Sequence, residues 1–432
     1  MASKFKQPDP SLPTILLVGT GIRQYREYIL KMVSRYANIW SLAEMTPEWE
    51  SEFICGFLEV NTLDHVQMKS IIPETVKPKG VLCWDEMRLI PSTKLAHSLL
   101  LPCSSLNAIM ACRDKFVTRQ SLAKLNVGQP LFSLSSSLEE AIKSANEIGY
   151  PVVVKPRSMA ASFGVSKVEN DQELEISFQT AAAVTEKCES FIADYYQQVK
   201  QSDDSTSEHY FSKGVLIEQC VEGTEISVDS VVSNGVVYPL FLARKQTGFY
   251  PYFEEIGHVV NSKDPLLEDK DFLELLNNAH KAVGFEQGCT HIEIMLTENG
   301  PKIIEINARM GGDLIPYVGQ IASNIDLGRI VVDVTCGHAV NIEEPETSIA
   351  AIRYFYPESE CTVKSLKLHS DRLHQSVFTA EPLAKEGQLL LLPPKENVGG
   401  RIGYCIAKNQ DENECIKVAI EAEDLFELTT SE

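Results

Sequence analysis

The sequence predicts a multi-lobed protein that combines α/β and α+β units. The chain has 432 residues, which is more than one ordinary hydrophobic core accommodates. A strand-like apolar run at residues 14–18 leads through glycines into a helix-like segment, which is typical of the first βα unit of a parallel sheet. Near the C-terminus, strand-like runs between residues 349 and 409 precede a helix-like run at residues 416–428. This arrangement predicts a C-terminal α+β lobe.

We divide the sequence into three parts. Residues 1–104 form the N-terminal βα domain, residues 105–340 the central core, and residues 341–432 the C-terminal α+β lobe. Within the core we expect a smaller lobe at about residues 130–214. Residues 195–214 are polar and lack apolar periodicity, so we interpret them as a loop or a flexible insertion.

Composition excludes several classes of protein. The net charge of −21 argues against a nucleic-acid surface. The N-terminus lacks the pattern of a signal peptide, and no apolar run is long enough to span a bilayer. The 11 cysteines are scattered and form no metal-type pairs, which favours reduced thiols. We therefore expect a cytoplasmic protein that binds neither nucleic acid nor membrane, with a homodimer as one arrangement.

The most informative segment is an acidic hairpin around Asn299. A three-residue loop centred on this residue would place Glu293 directly opposite Glu305. Strand alternation puts Asn307 on the same face as Glu305. These oxygen ligands suit Mg²⁺ bound with nucleotide phosphates, and Arg309 follows on the same side to neutralise an anion. The alternative is the solvated face of an ordinary hairpin.

A second candidate site begins at Lys155, at the end of a strand of valines. Residues 157–165 form a loop of small residues with Gly164 near its end. Small residues let backbone N–H groups close over phosphates, and the lysine adds a point charge. A surface lysine at a strand end is the alternative interpretation.

Other polar residues lie in or beside predicted strands. The run at residues 225–232 alternates so that Glu225 and Asp229 share one face. The aromatic segment 246–262 contains Glu255 and His258, and this histidine is either structural or in contact with substrate. Two acids, at residues 85 and 86, follow a short buried strand, where they either contact a ligand or cap the next helix.

Taken in order, these motifs resemble those of ATP-grasp enzymes, over about residues 107–330. The resemblance rests on Lys115, the VVVKP strand, the small-residue loop, IEQCVEGTEISVD, Glu293 and the EINAR motif. The EIGHVV and NARMGGDLIP segments further resemble the carboxylate–amine ligase branch, including the bacilysin-type L-amino-acid ligases. The resemblance implies an ATP-grasp core preceded by a pre-grasp βα domain.

The resemblance also implies roles in nucleotide binding. Lys115 and Lys155 would bind the phosphates of ATP, and the Glu218 side chain and Val221 backbone would contact the adenine edge. Glu225 would hold the ribose. The remaining implied contacts are the covering loop Ala161, Ser162, Phe163, Gly164 and Val165, and the adenine hinge at Glu218, Gln219, Cys220 and Val221. The family loop contains more glycine than SMAASFGV does.

For the chemistry, the resemblance implies two Mg²⁺ ions, or Mn²⁺ in their place, bridged by Glu293 and Glu305 with Asn307 joining one. Arg309 would stabilise the transferring phosphoryl group, and His258 and Glu255 would lie at the acceptor end. Asp313 and Arg353 are candidate residues of the substrate pocket, and an acid at position 313 would favour a cationic or amino-bearing group.

Three functions remain open. The first is an ADP-forming ligase that activates an amino-acid carboxylate as an acyl phosphate and transfers it to an amine. The second is a ligase of the same fold that loads an amino acid onto an acyl-carrier-protein thiol, as the butirosin carrier-protein glutamate ligase does. The third is a non-catalytic ATP-binding protein. An amine and a thiol attack the same intermediate, so the sequence does not separate the first two, although the acidic chain favours small amines over an acidic carrier.

Overall fold

The computed structural model describes residues 5–158, 164–199, 214–250 and 252–431. At the N-terminus a four-stranded parallel sheet has the order β3-β2-β1-β4. Its strands are β1 (Thr14–Val18), β2 (Asn38–Ala43), β3 (Gly56–Glu59) and β4 (Gly80–Leu82), and its helices are α1 (Arg23–Val33), α2 (His65–Ser70) and α3 (Leu89–Ser98). Alternate residues of β1 pack into cores on its two faces, which makes the strand continuously apolar. The predicted N-terminal βα unit is confirmed.

A smaller antiparallel sheet with the order β5-β8-β6-β7 follows two connecting helices. The elements are α4 (Leu106–Arg113), α5 (Lys115–Lys124), β5 (Phe132–Ser135), α6 (Leu138–Ile148), β6 (Val152–Pro156), β7 (Ser166–Val168), α7 (Asp171–Val199) and β8 (Val215–Gln219). Helix α7 continues through Val199, so the prediction of a loop from residue 195 is wrong for its first five residues. Extending an existing helix costs little, and these residues contain neither Gly nor Pro. Residues 200–213 lie outside the described part of the chain.

The central sheet has eight strands in the order β13-β12-β9-β10-β11-β14-β18-β16, and each neighbouring pair is antiparallel. Its strands are β9 (Thr224–Ser233), β10 (Val236–Gly248), β11 (Glu254–Asn261), β12 (Gly288–Thr297), β13 (Gly300–Asn307), β14 (Ile349–Phe355), β16 (Val377–Pro382) and β18 (Gly403–Asn409). The accompanying helices are α8 (Lys270–Val283), α9 (Ile315–Ser323), α10 (Leu327–Thr335) and α11 (Glu412–Glu421).

The two faces of this sheet have different neighbours. On one face, Leu242 and Ile292 pack with residues of α8 and α4. On the other face, Phe241 and Ala243 pack with α9, α10 and α1 of the N-terminal unit. Strand alternation therefore places Lys245, two residues after Ala243, on the face toward α9. The candidate site lies on this second face.

A three-stranded antiparallel sheet completes the C-terminal region. Its strands are β15 (Cys361–Leu368), β17 (Leu389–Leu390) and β19 (Phe426–Ser431). The predicted terminal helix over residues 416–428 is wrong at its end, because α11 stops at Glu421 and β19 begins at Phe426. Phe426 is buried against Phe355, so packing and pairing with β15 override the local helical pattern.

Two further expectations concern thiols and membranes. The ten cysteines whose side chains the structure describes are free thiols, half-buried or buried. Among the described residues, no helix combines the length and the apolar character needed to cross a bilayer.

Candidate active site

The β12–β13 hairpin places two carboxylates side by side. Glu293 pairs directly with Glu305, as predicted from the sequence, and His291 pairs with Asn307. The apolar residues that alternate with them on β12 face α8. The polar side chains therefore share the opposite face of the sheet.

The turn that joins β12 and β13 differs from the prediction. Thr297 pairs with Gly300, so the turn contains two residues rather than three. The register then shifts between Glu293 and Ile294, at a β-bulge in the facing strand. This bulge restores the pairing of the two carboxylates, which a two-residue turn alone would place on opposite faces. Gly300, at the end of the turn, has a positive φ of 89°, which glycine adopts without strain.

A buried lysine of β10 joins three carboxylates. The Lys245 side chain is 1% exposed, and its Nζ lies 2.9 Å from Glu225 Oε1, 2.9 Å from Glu255 Oε1 and 3.3 Å from Glu293 Oε1. Burial opposes the charge of this ammonium group, but the three carboxylates raise the pKa of Lys245 well above its usual value. Burial raises the pKa of Glu293, and neighbouring carboxylates add to this effect against the influence of Lys245. Three carboxylates are therefore crowded around one buried ammonium group beside the hairpin.

The two lysines predicted to bind phosphate both contact carboxylates. Lys115 is the first residue of α5, and its Nζ lies 2.7 Å from Glu305 Oε1. Lys155, in β6, forms an ion pair of 2.5 Å with Glu218 Oε2. Burial tends to raise the pKa of Glu305, but Lys115 and, more weakly, Lys155 lower it. Both ammonium groups thus lie close enough to the carboxylate pair to act on its charge.

Glu218 belongs to a buried ion-pair network. Arg119 of α5 donates from Nε to Glu218 Oε1 over 2.6 Å and from Nη2 to Oε2 over 3.2 Å. The same guanidinium donates to the carbonyl oxygens of Ile303 and Ile304. Burial disfavours the charged carboxylate, but Arg119 and Lys155 lower the pKa of Glu218 to about 2. These partners hold the Glu218 carboxylate in place, and its contact with an adenine edge stays a prediction.

The backbone of the predicted adenine hinge is fixed between two strands of the smaller sheet. The N–H of Gln219 donates to the carbonyl of Leu131 over 2.8 Å, and that of Cys220 to the carbonyl of Pro151 over 3.2 Å. Val221 lies two residues beyond the end of β8. The hinge is therefore held at the junction between the smaller lobe and the central sheet.

The predicted phosphate-covering loop is described only at its end. Gly164 has a φ of 72°, a conformation that glycine adopts without strain, and Val165 leads into β7. The other predicted residues of this loop lie outside the described residues, namely Ala161, Ser162 and Phe163.

Arg309 lies in the loop after β13 and is anchored by an acid of the N-terminal unit. Its Nε lies 2.5 Å from Glu86 Oε2, and Arg113 Nη1 lies 2.5 Å from Oε1 of the same carboxylate. Burial opposes ionisation, but the two arginines lower the pKa of Glu86 to about 2. Asp85 instead caps the following helical turn and pairs with Arg88. Of the two acids left open by the sequence, the first caps a helix and the second orients Arg309.

His258 lies between two carboxylates at the far end of the site. Its side chain is fully buried, with Nε2 located 3.3 Å from Glu255 Oε2 and 4.0 Å from Asp313 Oδ2. Burial alone would lower the pKa of His258, but the two carboxylates raise it. The imidazole is therefore placed to hold or exchange a proton beside these acids.

Asp313 is fixed by Arg401, a residue of the C-terminal lobe. Both terminal nitrogens of Arg401 lie 2.9 Å from the Asp313 carboxylate oxygens. Nη2 also donates to Glu254 Oε1 over 3.2 Å and to the carbonyl of Glu255 over 3.0 Å, while Nε donates to Tyr356 Oη over 2.9 Å. The carboxylate of Asp313 is thus neutralised within the protein. It lines the site as predicted, but it is paired with an arginine instead of being free to bind a cationic substrate group.

A histidine–carboxylate pair lies beside the hairpin carboxylates, on the same face of the sheet. His291 Nδ1 lies 3.0 Å from Asp229 Oδ2, and its Nε2 lies 3.8 Å from Glu293 Oε1. Asp229 also accepts a bond of 2.6 Å from the N–H of Gly311. A Cβ at Gly311 would lie 2.9 Å from His291 Nδ1, so only glycine fits this approach. The pair links the metal-type carboxylates to the loop after β13.

Arg353 does not reach this site, so its predicted place in the substrate pocket is wrong. Ile352 and Tyr354, its neighbours in β14, pack toward α9. Strand alternation therefore turns Arg353 to the other face of the sheet, toward α11. There burial lowers the pKa of Arg353, and Glu423, just after α11, opposes the lowering.

The functional side chains surround a cavity of about 200 Å³. Its polar lining includes Glu255, His291, Glu293, Glu305, Asn307, Arg309, Asp313 and Arg401. The paired carboxylates and the Asn307 amide are hard oxygen donors, and acidic groups outnumber cations around the hairpin. These residues fit a divalent cation, while Lys115, Lys155 and Arg309 fit the phosphates that such a cation accompanies.

Comparison with known proteins agrees with this geometry. Residues 148–317 match the family model described as the ATP-grasp domain. The chain contains an ATP-grasp domain. The matched segment includes Lys155, the hinge, the acidic hairpin and Arg309.

Relatives of this chain include ligases. It is 26% identical over 266 residues to the alanine–anticapsin ligase of Bacillus subtilis strain 168, an alignment that covers 58% of this chain and 52% of that protein. The chain spans about half to two-thirds of the length of the curated relatives it matches.

Solved structures extend the similarity of fold along the whole chain. An L-amino acid ligase from Bacillus licheniformis has a TM-score of 0.76 at 18% identity, covering 99% of this chain and 100% of that one. The biotin carboxylase domain of the Hydrogenobacter thermophilus 2-oxoglutarate carboxylase, solved with MgADP, has a TM-score of 0.71 at 14% identity, covering 97% of this chain and 91% of that one. The predicted fold class is confirmed.

Three residues of the candidate site were not identified from the sequence, namely Arg119, Lys245 and Arg401. Each is a buried cation paired with carboxylates, and the partners of Arg119 and Arg401 are distant in the chain. Lys245 could have been found from its neighbouring strand. The strand that contains it pairs with β11, and this pairing places Lys245 opposite His258. No local pattern marks Arg401, whose partners lie 88 and 147 residues away.

Proposed function

We propose that this chain is an ATP-dependent carboxylate–amine ligase that forms ADP and phosphate. The observation that carries the proposal is the direct pairing of Glu293 with Glu305 at the cavity, with Lys115 on one carboxylate and Arg309 in the following loop. Phosphoryl transfer depends on charge neutralisation and alignment. Carboxylates that suit a metal ion, next to cations that suit phosphate, provide both at one cavity. The ligase relatives support the same class of reaction.

In the first proposed step, a substrate carboxylate oxygen attacks the γ-phosphorus of ATP, and the bond to the β–γ bridging oxygen breaks. The products are ADP and an acyl phosphate. Lys115 and Lys155 bind the phosphate oxygens, exchanging carboxylate partners for them, and Arg309 neutralises charge on the transferred group. Two Mg²⁺ ions held by Glu293, Glu305 and Asn307 would supply further charge neutralisation.

In the second proposed step, an amine nitrogen attacks the acyl carbon, phosphate leaves with its bonding oxygen, and the nitrogen loses a proton. Glu255 lines the end of the cavity where the acceptor would bind, and the buried His258 lies behind it, with Nε2 located 3.3 Å from Glu255 Oε2. Their proximity supports a role in receiving that proton. Arg309 stabilises the tetrahedral oxyanion, so one cation serves both steps. We propose amino acids as the carboxylate substrates, as the relatives' names suggest.

A screen for ADP formation tests this proposal. Purified protein is incubated with ATP, Mg²⁺ and pairs of amino acids, and ADP and amide product are measured separately. A parallel arm replaces the amine by the thiol of an acyl-carrier protein. We expect amino-acid-dependent ADP with amide product, and ADP coupled to thioester alone would transfer the assignment to carrier loading. Absence of ADP with every carboxylate would contradict the ligase proposal and leave a nucleotide-binding protein.

Two matched variants locate the chemistry. Glu305→Gln should lower ADP formation by about 100-fold or more, because it removes a carboxylate from the metal-type pair. Glu298→Gln changes an exposed acid in the turn of the same hairpin and should stay within about twofold of the unmodified protein. Near-normal turnover in Glu305→Gln would contradict the metal assignment.

His258→Ala should retain nucleotide binding but lose amide product.

A further inference from the structure

Lys245 connects groups that belong to different parts of the site. Its three carboxylate partners come from three strands, because Glu225 is in β9, Glu255 in β11 and Glu293 in β12. In the proposed reaction these acids hold ribose, face the acceptor and bind metal, respectively. An ammonium group has three N–H donors, and each carboxylate lies within 3.3 Å of Nζ.

The surroundings of Lys245 leave it little freedom. Its side chain is 1% exposed, so water cannot replace a lost carboxylate partner. It lies directly opposite His258 in the β10–β11 ladder, and the backbone of both residues is fixed in the central sheet. A change in charge at one of the three carboxylates must therefore alter the attraction of Lys245 to the other two.

We propose that Lys245 is a positioning residue that couples metal–nucleotide binding at Glu293 and Glu225 to the arrangement of Glu255 at the acceptor end. A divalent cation on Glu293 repels the Lys245 ammonium and shifts its attraction toward Glu255 and Glu225. Occupancy of the nucleotide end thereby fixes the acceptor carboxylate before the amine attacks. By thermodynamic reciprocity, a change at Glu255 must alter the affinity for metal–nucleotide. The proposal rests on the proposed function for the roles of the three acids.

A double-mutant cycle with Mg·ADP as the probe tests this coupling without any amino-acid substrate. Dissociation constants are measured by calorimetry for the unmodified protein, Glu255→Gln, Lys245→Met and the double variant. Removing the Glu255 charge leaves Lys245 to compete with metal for Glu293. We expect Glu255→Gln to weaken Mg·ADP binding by about tenfold when Lys245 is present and by about threefold or less in Lys245→Met.

A neighbouring cation on the same strand supplies the control. Arg244 points to the opposite face of β10, where its Nε lies 2.9 Å from Asp264 Oδ2. In an Arg244→Met background, Glu255→Gln should weaken Mg·ADP as strongly as in the unmodified protein. Lys245→Gln repeats the cycle with a hydrogen-bonding neutral side chain if Lys245→Met does not fold.

The outcomes separate this inference from the ligase proposal. An equal effect of Glu255→Gln in the presence and absence of Lys245 would overturn the coupling, as would a failure of the protein to bind Mg·ADP. If the cycle shows coupling while no carboxylate supports ADP formation, the ligase assignment fails and the role of Lys245 in metal–nucleotide binding stands.

Discussion

Glu86 and Arg309 are joined across the boundary between the N-terminal unit and the central sheet, with Arg309 Nε 2.5 Å from Glu86 Oε2. The same carboxylate holds Arg113 through its other oxygen. The acid follows β4 of the parallel sheet, and the arginine follows β13 of the acidic hairpin. The N-terminal unit therefore sets the direction of a cation that lines the cavity.

Removing the charge of Glu86 should lower turnover with little effect on nucleotide affinity. In Glu86→Gln, Arg309 loses its ionic anchor and its orientation toward the transferring group. We expect kcat to fall by roughly 10- to 100-fold, within the range for loss of one charge-stabilising contact, while the Kd for Mg·ADP changes by less than about threefold. Asp85→Asn alters the neighbouring acid and should retain most of kcat. A drop in nucleotide affinity equal to the drop in kcat would argue against this separation.

The Arg119–Glu218 ion pair should contribute strongly to stability. Both side chains are no more than 2% exposed, and Arg119 also satisfies two backbone carbonyls of β13. Arg119→Met leaves a buried carboxylate with Lys155 alone, so we expect a loss of about 3–5 kcal/mol in the free energy of unfolding. Arg23→Met breaks a surface ion pair in which the arginine is 59% exposed, and it should have little effect on the free energy of unfolding. Urea unfolding of both variants provides the comparison, and similar costs would refute the prediction.

Arg401 should determine the shape of the acceptor end. Arg401→Lys keeps the charge but cannot contact Asp313 through two parallel donors and also reach Glu254 and Tyr356. We expect KM for the amino-acid substrates to rise by roughly tenfold while Mg·ADP affinity is retained. Steady-state kinetics together with calorimetry measures both quantities. A variant with unchanged KM would show that this network is only structural.

His280 should make the fold less stable in mild acid. The side chain is buried between the Leu276 carbonyl and Thr290 Oγ1, and burial lowers the pKa of His280 to about 4. The unfolded chain, with a value of about 6.5, binds more protons between these two pH values. Stability should therefore rise with pH over this interval, by up to about 3 kcal/mol from this group.

The matching variant isolates that contribution. His280→Gln removes the titrating group, so its free energy of unfolding should change less steeply between pH 5 and pH 6.5 than that of the unmodified protein. His258, whose pKa is raised, acts in the opposite direction and is present in both proteins. Parallel pH profiles from chemical denaturation would contradict the assignment to His280.

Local sequence patterns were sufficient to predict the parts of the site that lie on one hairpin. Alternation and the turn signal predicted that Glu293 and Glu305 pair, although the structure reaches that register through a two-residue turn and a bulge. Loop length is not determined by composition alone, because a one-residue shift can be compensated farther along the ladder. The N-terminal βα unit was predicted for a similar reason, since its first strand is apolar on both faces.

Residues whose role depends on distant partners could not be predicted in this way. Arg401 has no distinctive neighbours in sequence, and its carboxylate partners lie 88 and 147 residues away. The partners of Lys245 are on β9, β11 and β12, and only the pairing of these strands brings them to one ammonium group. Arg353 has a similar local context but lies on the other face of β14. Packing of alternate β14 residues against α9 and α11 decides which side chains face the site. The charge balance of a buried site is thus a property of the assembled sheet.

The position of Arg401 also affects how this site is completed during synthesis. Asp313 precedes its guanidinium partner by 88 residues, an interval of roughly 4–18 s at ordinary rates of translation. During that time the chain already contains Lys115, Lys155 and the acidic hairpin, but it does not yet contain Arg401 and β18. Until Arg401 has been synthesised, Asp313 and Glu254 lack their guanidinium partner, so the acceptor end of the site is completed only late in synthesis.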